Sequence, residues 1–330
     1  MRRRTFAALL AGAAVSASWP VRAQQRATRT RRIGVLLNLA ADDPETLVRL
    51  AAFLQTLQEL GWSEGRNLRI DYRWGVGDAE RHRANAAELA ALAPDVILAH
   101  GSTIMRPLQR QTRTIPIVFV STADPVSGGF VESLAHPGGN ATGFTSSDYG
   151  MSGKWAELLK EIAPRIKRIG VLRDPDQVSG NGQLGAIQAV APLLGVEMTP
   201  LACRDAGEIE HGIAAFASRP DGGLIATTSA FAQIQRPLIV GLTAKYKLPA
   251  IYPYRLFVRS GGLMSFGPDV TDQYRRAASY IDRILKGEKP GELPVQQPSK
   301  YELAVNMKTA RALGLEVPAS FAARGADLID

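Results

Sequence analysis

Cysteine occurs once in this chain of 330 residues, at Cys203. A single thiol excludes an intramolecular disulfide and any Cys-x-x-Cys redox or zinc motif. In an oxidising compartment the core must hold by packing alone, which a chain of this length can do. Histidine is scarce as well: His82, His100, His136 and His211 stand apart, with no H-E-x-x-H pair to suggest a metal. The G-x-S-x-G elbow and the P-loop are both missing. There is no low-complexity tract and no long run of like charge. The formal charge of +8 is inflated by four unopposed arginines within residues 1–23; without them the surplus is +4 and forms no basic stripe. That balance gives no footing for a nucleic-acid partner.

The N-terminus reads as an address. Arg2-Arg3-Arg4 is a basic n-region, Phe6 to Ala17 a short apolar h-region, and Val21-Arg22-Ala23 a small-residue cleavage site before Gln24. Arg3-Arg4-Thr5-Phe6 fits the twin-arginine export pattern, so residues 1–23 are expected to be a signal peptide. The h-region is too short and alanine-rich to span a bilayer, and nothing later approaches the roughly 20 apolar residues a span needs. With no cysteine at the cleavage point to carry a lipid, the mature chain is expected free in the periplasm, as a monomer.

What is abundant is internal echo. Arg-Ile-Gly-Val-Leu occurs at Arg32–Leu36 and again at Arg168–Leu172, each time after a basic stretch and each time reading as a buried first strand. Pro94-Asp95-Val96-Ile97-Leu98-Ala99 is answered by Pro220-Asp221-Gly222-Gly223-Leu224-Ile225-Ala226, and Ile115-Pro116-Ile117-Val118-Phe119 by Leu248-Pro249-Ala250-Ile251-Tyr252. Between these strands lie helical stretches: Asp43-Pro44 starts one whose Leu50, Phe53, Leu54 and Leu57 share a face, and Asp78 caps another. Strand and helix alternating at this rhythm predict an α/β chain of two Rossmann-like lobes, each a parallel sheet covered on both faces. Thr271 is expected to cap a long helix, followed by an extended proline-bearing tail that crosses between the lobes.

In such sheets ligands sit beyond the carboxyl ends of the strands, near helix starts. In the first lobe those ends supply Asn38, Gly101-Ser102-Thr103, Asp124 and Ser147 as candidate ligand contacts. In the second they supply Thr228, Ser229, Tyr252, Phe266 and Asp269. Glycine at position 101 lets backbone approach a ligand, and free amides at a helix start attract a carboxylate. Hydroxyls, amides and one or two carboxylates describe a site that holds a small polar molecule; they do not describe a reaction, and no cofactor is called for. His100, at a strand end beside this ground, is the one histidine in reach of it. A competing motif is Gly180-Asn181-Gly182-Gln183-Leu184-Gly185, a G-x-G-x-x-G with Asp205 further on at the spacing of a dinucleotide site. Its glycines begin late, after Arg173–Ser179, but it keeps an exported NAD(P)-dependent oxidoreductase as the alternative.

The run from Thr112 to Phe119, through Asp124-Pro125-Val126, to Pro137-Gly138-Gly139-Asn140-Ala141-Thr142-Gly143 closely resembles the ABC transporter substrate-binding proteins of the tryptophan/tyrosine-binding type. So do Gly261–Asp269, Tyr274–Ala278, Leu293–Pro298 and Asn306–Ala310, and the similarity spans about residues 30–325. The resemblance implies a type I periplasmic-binding-protein fold with three interlobe crossings. Lobe 1 would comprise 30–147 plus 268–292, and lobe 2 148–267 plus 298–325. It further implies an amino acid or related ligand in the cleft, an inner-membrane ABC permease as partner, and no enzyme activity. Carried over, Ser102 and Thr103 take the ligand carboxylate with Thr228 and Ser229 facing them, while Asp124 and Asp269 face the ammonium. Two positions depart from the pattern: Phe266 stands where a tyrosine is usual, and Ser102-Thr103-Ile104-Met105 replaces a Thr-Pro-Ala run.

Overall fold

The computed structural model describes residues 29–146 and 149–330; the export signature and Ser147 lie outside the described residues. The first half runs β1 (Arg31–Leu37), α1 (Pro44–Glu59), β2 (Leu68–Trp74), α2 (Ala79–Ala91) and β3 (Val96–His100). It continues through a 3₁₀ turn at Ser102–Ile104 into α3 (Met105–Gln111), then β4 (Ile117–Thr122) and β5 (Ala141–Thr145). The second half runs α4 (Met151–Ile162), β6 (Arg168–Arg173), α5 (Val178–Val190), β7 (Glu197–Ala202), α6 (Ala206–Ala217) and β8 (Gly222–Ala226). After it come α7 (Ala230–Ile234), α8 (Arg236–Lys245), β9 (Ala250–Tyr252), α9 (Arg255–Arg259) and β10 (Met264–Pro268). The tail holds α10 (Val270–Leu285), β11 (Tyr301–Asn306), α11 (Met307–Ala312), α12 (Ala319–Ala323) and β12 (Asp327–Ile329).

The echo in the sequence becomes an echo in topology. One sheet has the order β2-β1-β3-β4-β5; the other contains β7-β6-β8-β9-β10, the same winding, extended by β11 and β12. The repeated pentapeptide lies in β1 and β6, which hold the same place in their sheets; their Ile-Gly-Val-Leu runs are buried, and Arg168 at the start of β6 is buried too, its guanidinium donating to the carbonyls of Arg219 and Pro220. All pairs are parallel except β10 with β11, where the returning tail adds an antiparallel strand. In each winding the chain direction reverses between the first and third strands, which opens a crevice at the carboxyl edge there. β12 carries the second sheet to Ile329, so a boundary at residue 325 leaves it out.

The long helix α10 comes after the second winding yet packs on the first. Its apolar stripe, with Tyr274, Ala277, Ala278 and Ile281 fully buried, lies against α1 and the β3–β5 side of the first sheet. Trp62 donates its indole N–H to Asp282 at 2.9 Å, and Arg31 reaches the Leu285 carbonyl at 3.0 Å. The cap of α10 is Asp269, whose carboxylate accepts from the Asp272 amide at 2.9 Å, rather than Thr271. The chain therefore crosses between the two sheets three times: after β5, between β10 and α10, and between α10 and β11. The last crossing runs beside β5, with Thr142 donating to the Leu293 carbonyl at 2.6 Å. No helix among the described residues is long and apolar enough to cross a membrane.

Candidate functional site

The carboxyl edges of the two sheets face each other across a cavity of about 40 Å³. From the first sheet Asn38 follows β1, Gly101, Ser102 and Thr103 follow β3, Ser121 and Ala123 flank the end of β4, and Ser146 follows β5. From the second, Gln177 and Ser179 follow β6, Thr228, Ser229 and Gln233 follow β8, and Tyr254 follows β9. A water needs roughly 10–15 Å³ of such space, so the cavity as it stands is smaller than an amino acid. It continues outward into a cleft of about 200 Å³ that shares Ser102, Thr103, Ala123, Gln177 and Ser179.

Local backbone is spent on this edge. Gly101 has φ +94°, and a Cβ there would come within 2.5 Å of the Asn38 amide nitrogen, so only glycine lets that side chain lie over the start of the turn. Ser121 and Asp124 are left-handed without being glycine, at φ 53° and 35°. Gln273 of α10 holds the first of them, accepting from the Ser121 amide at 3.0 Å while donating to the Thr145 carbonyl at 3.0 Å. Gln183 does the equivalent in the second lobe: fully buried, it accepts the Thr228 amide at 2.9 Å and donates to the Thr228 hydroxyl.

The hydroxyls share one polarity. Ser102 accepts from the Ala123 amide at 2.9 Å, and Ser229 from the Ala232 amide at 2.9 Å as the cap of α7. Thr228 accepts from Gln183, and the Asn38 amide nitrogen lies 3.5 Å from the Thr103 hydroxyl. A hydroxyl with an accepting role already filled still has its O–H to give, so these four offer protons to whatever enters. Against them stand two buried amide oxygens with no donor among the described residues, Asn38 Oδ1 and Gln233 Oε1. Orphaned buried acceptors are costly unless water or a ligand meets them.

The charges are arranged unevenly. Among the described residues no carboxylate lines the inner cavity. Asp124 lies in the outer cleft, where it accepts from the Ser127 amide at 3.0 Å and from the Tyr149 hydroxyl at 3.5 Å. Burial, reinforced by Asp124, pushes the Tyr149 phenol up to about 12. His100 closes the inner wall with Nδ1 3.0 Å from the Tyr274 hydroxyl; burial, then the field of Arg49, push the imidazole down to about 3, so it is neutral. Burial also raises the phenols of Tyr254 and Tyr274.

Of the sequence candidates, Asn38, Gly101, Ser102, Thr103, Thr228 and Ser229 come together on this cavity, and Asp124 stands at its outer side. Tyr252, Phe266 and Asp269 do not line it. Tyr252 points into the core, stacked on Phe257 and bonded to Thr243 at 2.9 Å, because the last strand residue keeps the inward face; Tyr254, two residues on, turns into the cleft instead. Phe266 stacks on Tyr301 and gives its carbonyl to Trp155, while Asp269 is occupied as a helix cap. The glycine motif is a correction too. Gly180, Gly182 and Gly185 lie inside α5, which begins at Val178, so they form no phosphate loop. Gly182 is there because the Tyr149 ring packs on it, and Asp205 caps α6. Lining residues that strand-end reasoning passed over are Gln177, Ser179 and Gln233, on helices or helix starts; Gln183 stands behind them, bonded to Thr228.

Residues 35–329 match the family model of the ABC transporter substrate binding proteins. The chain belongs to that family. A tyrosine-binding protein of Clostridioides difficile strain R20291 is 26% identical over 264 residues, covering 80% of this chain and 76% of that one. Among solved structures, a conserved domain protein from Vibrio cholerae is 26% identical with a TM-score of 0.84, covering 92% of this chain and all (100%) of that one. An ABC domain in complex with L-Trp from Streptococcus pneumonia superposes with a TM-score of 0.83 at 24% identity, covering 91% and 100%. The architecture of this family member is thus the type I periplasmic-binding-protein fold, with two lobes and a cleft between them.

Proposed function

We propose that this substrate-binding protein is the periplasmic receptor of an ABC importer. It holds an amino acid or a related carboxylate or amide in the interlobe cleft, presents it to an inner-membrane permease, and catalyses nothing. The observation that carries the reading is the polar cavity formed by the carboxyl edges of both sheets, lined by hydroxyl and amide side chains from each lobe. Two cross-lobe ion pairs, Asp43–Arg236 at 3.3 Å and Glu45–Arg259, support a closed arrangement of lobes 30–147 plus 268–292 and 148–267 plus 298–325. A ligand shifts an open–closed balance only through contacts it makes in the closed form, and here both lobes supply them. The tyrosine-binding relative makes an aromatic amino acid the first ligand to try.

The test is calorimetric titration and thermal melting of the mature chain with the twenty amino acids and a panel of sugars. Binding of one or more amino acids, with a fall in radius of gyration by solution scattering, supports the reading. Saturable binding of sugars alone, or of NADPH alone, removes it.

A further inference from the structure

Two acceptors on the inner cavity have nothing to accept. Asn38 follows β1 in the first lobe and is 3% exposed; Gln233 lies in α7 of the second and is 6% exposed. Both line the cavity of about 40 Å³, and their side-chain oxygens, Oδ1 and Oε1, have no hydrogen-bond partner among the described residues. Ser146 lines the same cavity with an unpartnered hydroxyl, but a hydroxyl can turn to give or to take, whereas an amide oxygen can only accept. The amide nitrogens are turned elsewhere. Gln233 Nε2 lies 3.5 Å from the Ser229 carbonyl, itself only an acceptor, which leaves the oxygen as the free end. Asn38 Nδ2 lies over the turn at Gly101, 3.5 Å from the Thr103 hydroxyl. A buried amide oxygen without a donor is costly to keep. A cavity this small takes one ligand group, so both oxygens meet the same one.

We propose that Asn38 Oδ1 and Gln233 Oε1 form a clamp for one nitrogen of the ligand that carries at least two N–H bonds, a primary ammonium or a primary amide. The inference rests on the receptor reading above and deepens it, because it names the side chains that select nitrogen over oxygen at this end of the ligand. One N–H points to each lobe, so both hydrogen bonds form only with the lobes together. A hydroxyl in the same place has a single proton and leaves one oxygen unmet; a C–H leaves both. Asp124, the carboxylate that the resemblance sets against an ammonium, stands in the outer cleft and already accepts from the Ser127 amide and the Tyr149 hydroxyl. It contributes less to the selection.

The experiment measures, by calorimetry, the affinities of L-tyrosine, 3-(4-hydroxyphenyl)lactate and 3-(4-hydroxyphenyl)propionate, which carry an ammonium, a hydroxyl or a hydrogen on otherwise matched skeletons. The mature wild-type chain is compared with Gln233→Met, Asn38→Leu and Asp124→Asn. Wild type is expected to bind tyrosine at least about tenfold tighter than the lactate. Gln233→Met and Asn38→Leu each lose most of that ratio, and Asp124→Asn keeps it. Equal affinities in wild type overturn the proposal, with or without folded variants. So does a ratio that Gln233→Met or Asn38→Leu leaves unchanged, or one that Asp124→Asn abolishes. Where a Met or Leu variant does not fold, Gln233→Glu and Asn38→Asp keep an oxygen in place: a retained ratio supports the clamp and a collapsed one overturns it. Should wild type bind none of the three, aromatic amino-acid specificity is what fails. The clamp is then read from melting temperatures with alanine against lactate, leucine against 2-hydroxy-4-methylpentanoate, and succinamate against succinate. Stabilisation by the nitrogen member alone, lost in Gln233→Met, supports it; an equal response, or none in any pair, overturns it. Hydroxy acids that bind as tightly as amino acids remove only the clamp, whereas binding of sugars alone removes the receptor reading as well.

Discussion

Replacing His100 with Gln should change how the stability of this protein depends on pH, in a window that the structure defines. The imidazole is 2% exposed, shares a hydrogen bond with Tyr274 at 3.0 Å, and is held neutral down to about pH 3 by burial and by Arg49. In the unfolded chain it takes up a proton near its ordinary value of about 6.5. Between those two values the unfolded state binds more protons than the native state, so this group makes stability rise with pH and fall as pH drops from 6.5 toward 3. One group in that window contributes about 1.4 kcal/mol per pH unit, which amounts to about 2 kcal/mol between pH 7 and pH 5. Urea unfolding at half-unit steps from pH 7.5 to 4.5 gives the free energy for each variant. Subtracting the two curves removes every other titrating group, including His82, whose imidazole burial also lowers. Gln can still bond to Tyr274, so His100→Gln should start lower or equal at pH 7 and lose about 2 kcal/mol less on acidification. Parallel curves would show that the native imidazole protonates at an ordinary pH and is not sealed in the wall.

Two further outcomes follow from the same geometry. Gln183→Ala leaves the Thr228 amide without a partner in a buried site; the cost should be about 1–3 kcal/mol of stability, seen as a lower melting temperature, together with weaker ligand binding, whereas Gln233→Ala should weaken binding with little change in melting. Arg236→Met removes the cross-lobe partner of Asp43, a pair whose side chains are 19% and 14% exposed; closure should weaken by about 1 kcal/mol, or about fivefold in apparent Kd, carried by a faster dissociation rate in stopped-flow fluorescence. An unchanged dissociation rate would mean that the pair is no part of the closed state.

The architecture was legible because the information for it is local and repeated. Two copies of one pentapeptide marked the first strands, and turn chemistry marked where each strand ends, so the side chains beyond those ends could be named as Asn38, Gly101–Thr103, Thr228 and Ser229. Side-chain direction was not legible in the same way. Tyr252 and Tyr254 look alike in sequence, but the strand ends between them, and one faces the core while the other faces the cleft. Helical contributions were hidden for another reason. A glutamine in a helix is normally solvated, and nothing in the runs around Gln183 or Gln233 says that the first will be buried against Thr228 after β8 or that the second will line the cavity. The glycine motif misled through propensity: each glycine disfavours a helix by about 1 kcal/mol relative to alanine, yet packing of Tyr149 on Gly182 and the approach of Gly180 to the Asp174 carbonyl override it.

The division of the site between lobes has a thermodynamic consequence. Every donor hydroxyl is set in place by a partner from its own lobe: Ser102 by Ala123, Thr103 by Asn38, Thr228 by Gln183, Ser229 by Ala232. Neither half needs the other to be preorganised, so opening the cleft leaves both half-sites intact. What opening would change is the company of Asn38 Oδ1 and Gln233 Oε1, two acceptors beside the cavity with no donor among the described residues, which would gain water when the lobes part and lose it when they close. In the proposed receptor, closure without ligand therefore strands two acceptors at once, and closure over a ligand that carries N–H donors satisfies both. The same two acceptors would then favour the open form of the empty receptor, and a ligand lacking N–H donors would recover less of that difference.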